Sequence, residues 1–242
     1  MKAMILAAGK GTRLQELTEK TPKALIEAGG ISLLERLIRR LIAEGFSSIV
    51  INVHHLAGQI KDFLAARKNF GIDILISDET EQLLETGGGI LHAACLLQDD
   101  EPFLVHNVDI VTDLDLRALY NTHIENNALA TLAVKKRITS RYLLFDQHMH
   151  MRGWENKKTG ERIIPGHADD TLTPFAFSGI HVISPGIFSL FTENGRFSII
   201  DAYLRLCPEH TIACYLHDEG YWIDAGKPEG LSEADNLLGS EN

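Results

Sequence analysis

Near the amino terminus the sequence reads Gly9-Lys10-Gly11-Thr12-Arg13, directly after a short apolar run over residues 3–8. Small residues and glycines let backbone N–H groups approach an anion closely, and the turn that follows adds donors. Lys10 and Arg13 bring positive charge, and a guanidinium binds phosphate with two parallel hydrogen bonds. Three readings compete for this loop. A Walker loop requires G-x-x-x-x-G-K-[ST], which is absent. A dinucleotide fingerprint requires G-x-G-x-x-G, and position 14 is leucine. The third reading is a tight turn that binds nothing.

Other positions carry residue types suited to polyphosphate chemistry. Lys23 follows Pro22, Asp109 closes Asn107-Val108-Asp109, Gly87 to Gly89 form a glycine run, and Asp224 stands before Ala225-Gly226. Each has a plainer alternative. Asp109 could cap a helix, Asp224 could serve a turn, Lys23 could be a solvated loop lysine, and the glycines could be a flexible helix start. His54-His55 cannot point both rings one way from an extended chain. His148 and His150 share a strand face but have no evident third ligand. Both pairs read as surface histidines.

Elements must position these residues. Apolar runs at 3–8, 48–53 and 72–77 read as buried strands, and 102–111 contains a fourth that ends at Asn107-Val108-Asp109. Between them, residues 32–44 place Leu33, Leu34, Leu37, Ile38, Leu41 and Ile42 on one helical face, with Ser32 and Glu35 as a capping box and Gly45 as the stop. Helices are also predicted over 56–67 and 89–97. This alternation predicts an α/β fold with a doubly wound, mostly parallel sheet, whose ligands bind beyond the carboxyl ends of the strands. A helix over 116–126 and a strand over 128–135 continue the rhythm. Residues 138–174 break it with short strands and polar turns, a small β-rich insertion in which Tyr142 and Trp154 read as packing residues. Strands at 175–184 and 211–217, helices near 186–191 and 198–207, and a helix from Pro228 complete the pattern.

The chain has 242 residues and a formal net charge of −10, which argues against non-specific nucleic-acid binding. Its three cysteines, Cys95, Cys207 and Cys214, are far apart, so no disulfide framework or zinc site is expected and a reducing cytoplasm fits. No apolar run is long enough to span a membrane.

Taken in order, LAAGKGTRL, TPKAL, LETGGGI, NVD and WIDAG resemble the sugar-1-phosphate nucleotidyltransferase family over nearly the whole chain. LETGGGI is similar to the short, single-domain bacterial members, the N-acetylmuramate-1-phosphate uridylyltransferases, with mannose-1-phosphate guanylyltransferases close by. The resemblance implies one Rossmann-like domain over 1–242, with a nucleotide-binding half to about 135, a sugar-binding half over about 136–226 and a C-terminal helix over 227–242. It implies that Ala8, Gly9, Gly11, Thr12 and Arg13 cradle the triphosphate. Lys23 would bridge the reacting phosphates, and Asp109 and Asp224 would hold Mg²⁺. Gln82 would read the base edge, and Gly87 and Gly88 would lie against base and ribose. Asn107 and Gly179 would face the sugar. The partners implied are a nucleoside triphosphate and a sugar 1-phosphate, in a monomer or homodimer.

The chain departs from the family at three places. Val108 adds bulk where most relatives have glycine beside the aspartate. Gln82-Leu83 replaces Glu-Pro. The E-K-P segment, whose lysine contacts the sugar phosphate, is absent, leaving Lys135, Lys136, Arg137, Arg141 and Lys157 as candidates. Uridylyl or guanylyl transfer to a hexose 1-phosphate is the favoured reading. Cytidylyl transfer to a phosphorylated alcohol or amino alcohol, a non-catalytic nucleotide sensor and a dinucleotide-dependent oxidoreductase are the alternatives.

Overall fold

The computed structural model of the chain describes residues 1–14, 17–166 and 171–239. In its first half, strands β1 (Lys2–Leu6), β2 (Glu27–Ala28), β3 (Ile31–Ser32), β4 (Ser48–Val53), β5 (Asp73–Asp78), β6 (Phe103–Asn107) and β7 (Ile110–Thr112) run among helices α1 (Leu17–Lys20), α2 (Leu33–Ala43), α3 (Ala57–Ala66), α4 (Glu85–His92), α5 (Ala94–Leu97) and α6 (Leu116–Asn126). The second half contributes β8 (Ala130–Lys135), β9 (Arg141–Phe145), β10 (Met151–Asn156), β11 (Glu161–Ile163), β12 (Thr173–Ile183), β13 (Ile212–Leu216) and β14 (Trp222–Asp224), with helices α7 (Ile199–Leu206) and α8 (Pro228–Gly239). The tail of the expected C-terminal helix, 240–242, lies outside the described residues.

Ten strands form the main sheet in the order β11-β10-β9-β12-β6-β1-β4-β5, with β8 beside β12 and β13 beside β8. The expected doubly wound, mostly parallel sheet is present. Strands β5, β4, β1 and β6 are parallel neighbours. The β-rich second half is antiparallel around β12, which pairs with β6, β8 and β9 in turn. The register of β12 shifts between Phe177 and His181, where Gly179 has a φ of +77°. Glycine reaches that conformation without strain.

Both faces of the sheet are covered, so its strands are apolar on both sides. Ala3 and Ile5 of β1 pack with Leu34, Leu37, Ile38 and Leu41 of α2 on one face. Met4 lies on the other face with Ile90, Phe103 and Tyr203. Among the described residues no helix is long and apolar enough to cross a membrane.

Two elements differ from expectation. The Ser32 hydroxyl caps α2 by accepting Glu35 N–H, but the Glu35 carboxylate turns to Arg39 and Arg67 and closes no reciprocal box. Helix α4 begins at Glu85, four residues before the predicted start, because the glycine run packs as helix instead of preceding it. The strand expected to end at Asn107-Val108-Asp109 is β6, which stops at Asn107. Val108 N–H still donates to Leu6 carbonyl at 3.2 Å. Beyond it the chain leaves the main sheet, and β7 pairs instead with β14.

Candidate active site

That departure from the main sheet sets the geometry of the site. β7 and β14 are antiparallel, with Asp224 opposite Ile110, and Ala225 N–H donates to the Asp109 carbonyl at 2.9 Å. Two aspartates distant in sequence thereby reach one place at the carboxyl edge of the parallel strands. A cleft of about 360 Å³ opens there, lined by Ala8, Gly9, Lys23, Asn107, Val108 and Asp109 among others.

Charge is concentrated at the cleft. Lys23 Nζ contacts Asp109 Oδ2. Arg13 reaches both carboxylates, with Nη1 2.9 Å from Asp224 Oδ2 and Nη2 3.6 Å from Asp109 Oδ2. Lys227, not anticipated from the sequence, sits 3.2 Å from Asp224 Oδ2. Burial pushes the Asp224 carboxyl up, but Arg13 and Lys227 outweigh it and hold the group below its ordinary range. The loop carrying Arg13 turns at Gly11, with φ +66°, where a Cβ would stand 2.6 Å from Thr18 Cγ2. Gly226 closes the cluster, its Cα facing Asp109 Oδ2, Lys23 Nζ and Arg13 Nη2 with no room for a methyl group.

Sequence reasoning missed a buried strut beneath the loop. Asn52 Oδ1, at the end of β4, accepts the N–H groups of Ala7 and Ala8 at 2.7 and 3.3 Å. Its Nδ2 donates to Glu79 Oε1 at 2.7 Å, and Glu79 Oε2 accepts Leu84 N–H at 3.2 Å. The Ala8 amide therefore faces Asn52. The only legible signal was one polar residue inside the apolar run SIVINV. Burial pushes Glu79 above the ordinary carboxylate range, although the Asn52 and Leu84 bonds draw it back. Asn52→Asp keeps the acceptor for the loop but sets a second carboxylate against Glu79. It should cost about 2–4 kcal/mol of stability. Proton uptake by the facing carboxylates relieves the repulsion, so the deficit should be larger at pH 8 than at pH 5 in thermal or urea denaturation. Wild-type stability at pH 8 would discount the strut.

The glycine run packs closely against the chain itself. A Cβ on Gly87 would meet the Phe197 ring, one on Gly88 the Gly195 carbonyl oxygen, and one on Gly89 Glu79 Oε1 at 2.7 Å. All three are buried, and their missing side chains admit the chain's own α7 loop and the strut. Leu83, Glu85 and Thr86 line the cleft instead. Gln82 is exposed beside them. On the other side, Asn107 lines the cleft and packs against Gly179, where a Cβ would stand 2.7 Å from Asn107 Nδ2. Val108 is buried and lines the cleft as a wall.

The candidates for the missing lysine separate clearly. Lys135 Nζ lies among the carbonyl oxygens of His217, Asp218, Glu219 and Gly220 at 2.8–3.2 Å, clamping the turn before β14. Lys136 pairs with Asp218 and Lys157 with Glu155. Arg137 sits over Trp222, its Cζ 4.0 Å from the ring centroid, and donates to the Phe177 carbonyl.

The nucleotidyl transferase family matches residues 2–241. The chain belongs to the nucleotidyl transferase family. It is 33% identical to an N-acetylmuramate alpha-1-phosphate uridylyltransferase of Neisseria meningitidis serogroup B, over 99% of each chain. It is 31% identical to the enzyme of the same name from Caulobacter vibrioides, over 98% of this chain and 96% of that one. The fold matches HddC from Yersinia pseudotuberculosis, with a TM-score of 0.78 at 23% identity, over 98% of this chain and 99% of that one.

A nucleotidyl transferase must hold polyanions together, and the cluster suits a divalent cation. One guanidinium, Arg13, reaches both Asp109 and Asp224, so both carboxylates face a single cation position. Two hard oxygen donors match Mg²⁺, which takes its remaining ligands from water and phosphate. Among the described residues no group of three or more His, Cys, Asp or Glu forms a closed metal site.

Proposed function

We propose that the protein transfers a nucleoside monophosphate from a nucleoside triphosphate, UTP or GTP, to a sugar 1-phosphate, releasing pyrophosphate. The convergence of Arg13, Lys23, Asp109, Asp224 and Lys227 at one end of the cleft carries this reading. The names of the relatives support it: uridylyltransferases for N-acetylmuramate α-1-phosphate, and a guanyltransferase for mannose 1-phosphate from Yarrowia lipolytica that is 30% identical.

An acceptor phosphate oxygen attacks the α-phosphorus as the bond to the pyrophosphate oxygen breaks. This displacement needs no protein nucleophile, only two polyanions held in line and their charge neutralised. Lys23 acts as a point charge between the reacting phosphates, and Arg13 forks onto the leaving pyrophosphate. Gly9, Gly11 and Thr12 approach the triphosphate on an exposed, tightly turned backbone, which the Asn52 strut fixes through Ala7 and Ala8. Asp109 and Asp224 hold Mg²⁺, which when bound supplies charge neutralisation at the phosphates. Gln82 and Leu83 face the base, and Asn107 and Gly179 face the sugar. Nucleoside triphosphate donors place the work in the cytoplasm.

Pyrophosphate release should be measured for UTP, GTP, CTP, ATP and dTTP against several sugar 1-phosphates with Mg²⁺. Turnover should concentrate on one sugar acceptor with UTP or GTP. An empty grid with all sugar acceptors, but turnover of phosphocholine with CTP, would refute the reading.

A further inference from the structure

Three cations and two carboxylates alternate along the charged cluster, in the order Lys23, Asp109, Arg13, Asp224 and Lys227. Lys23 suits the reacting phosphates and Arg13 the leaving pyrophosphate. Lys227 stands at the far end, with no part in that division. Local structure puts it there. It lies three residues beyond Asp224, between Gly226 and Pro228, the first residue of α8. Its N–H donates to the Asp224 carbonyl at 3.3 Å, which closes a turn and brings Nζ back to Asp224 Oδ2 at 3.2 Å.

Arg13 Nη1 lies 2.9 Å from the same Asp224 oxygen. The two nitrogens are therefore separated by no more than those two contacts laid end to end, close enough to bracket one phosphate group. Arg13 and Lys227 are also alike in exposure. Their side chains are 50% and 53% exposed, against 11% for Lys23, which is held inside the cleft. A leaving group must depart into solvent, and exposed, long side chains can hold it on the way. Lys227 is not needed to hold Asp224. Arg13 and the Gly226 N–H already engage that carboxylate, and an exposed ion pair adds little stability.

We propose that Lys227 is a catalytic residue of the transfer, binding the leaving pyrophosphate together with Arg13. The inference rests on the reading of the protein as a sugar-1-phosphate nucleotidyltransferase. As the acceptor oxygen bonds to the α-phosphorus, the bond from that phosphorus to the bridging oxygen breaks, and its electron pair stays on the pyrophosphate. Lys227 remains protonated and donates hydrogen bonds to the departing group; no proton is transferred. Arg13 binds as a planar fork and Lys227 as a point charge, so the two engage different oxygens. Neutralising charge that appears only as the bond breaks favours the transition state over the bound triphosphate.

Lys227→Met keeps most of the stem and removes the charge, and Lys227→Arg retains a charge. Calorimetry with Mg²⁺ present should give a pyrophosphate Kd about tenfold to a hundredfold weaker in Lys227→Met, with Lys227→Arg recovering part of the loss. Binding of UMP and GMP, which lack the leaving group, should match the parent. Forward turnover of UTP or GTP should lose kcat by a similar factor, at unchanged KM for the sugar 1-phosphate. The Mg²⁺ concentration for half activation should stay or fall, since a cation competing for Asp224 is gone. A role confined to orienting Asp224 would raise that concentration and weaken UMP and GMP binding too. Lys227 is exposed, so thermal unfolding of its variants should match the parent and separate lost binding from lost folding. Parental pyrophosphate affinity in Lys227→Met, or an equal loss of affinity for UMP and GMP, overturns the inference alone. A parent that turns over no sugar 1-phosphate overturns the proposed function and this inference with it.

Discussion

Asp109→Asn should lower kcat by about 10³-fold while the protein remains folded. Asp109 is 8% exposed and its Oδ2 faces Lys23 and Arg13 together. Asparagine keeps the shape and one acceptor oxygen but removes the charge that completes the cation position shared with Asp224. Three cations then face one carboxylate, so the variant should also lose about 1–3 kcal/mol, a few degrees in Tm. The effect on kcat must greatly exceed that on stability if the residue acts in the chemistry. Steady-state pyrophosphate release, with circular dichroism on the same sample, tests this. Near-parental kcat in Asp109→Asn would remove Asp109 from the mechanism.

Gly226→Ala should reduce kcat by about 10²-fold with almost no change in Tm. An added Cβ would overlap Asp109 Oδ2 and Lys23 Nζ and stand 2.8 Å from Arg13 Nη2. These are the far ends of flexible, charged side chains, so they move aside without breaking the core. The backbone is outside the left-handed region, so alanine adds no torsional strain there. The whole effect therefore falls on the relative placement of the charges, and a displacement near 1 Å is enough to cost two orders of magnitude. Gly186→Ala, where a Cβ meets nothing within 4 Å, is the matched control. If Gly226→Ala turns over like the parent, the cluster does not need its observed arrangement.

The sequence alone determined the parts of this protein that depend on neighbours along the chain. The 3.6-residue spacing of Leu33, Leu37, Ile38 and Leu41 specified α2 to within a residue at each end, with Ser32 as its cap. Short apolar runs specified β1, β4 and β5, since strands buried on both faces need no alternation. Local turn chemistry picked out the loop at Gly11. Arg13, Lys23, Asp109 and Asp224 were legible as charged residues with unusual neighbours, and the tertiary structure brings them together.

Only the tertiary structure decided what depends on pairing across the chain. Arg13 and Asp224 meet across 211 residues, and Lys23 and Asp109 across 86. Those meetings follow from the β7–β14 register, which no local pattern encodes. The same holds for Asn52 and Glu79, whose side chains find each other only because β4 and β5 are adjacent. The glycine run shows the limit most clearly. The resemblance implies that Gly87 and Gly88 lie against base and ribose. In the fold the side-chain positions of Gly87, Gly88 and Gly89 face Phe197, Gly195 and Glu79, and a missing side chain records close approach but not what approaches. Lys135, Lys136 and Arg137 were equivalent cations until backbone carbonyls engaged Lys135 and Arg137 and a carboxylate engaged Lys136.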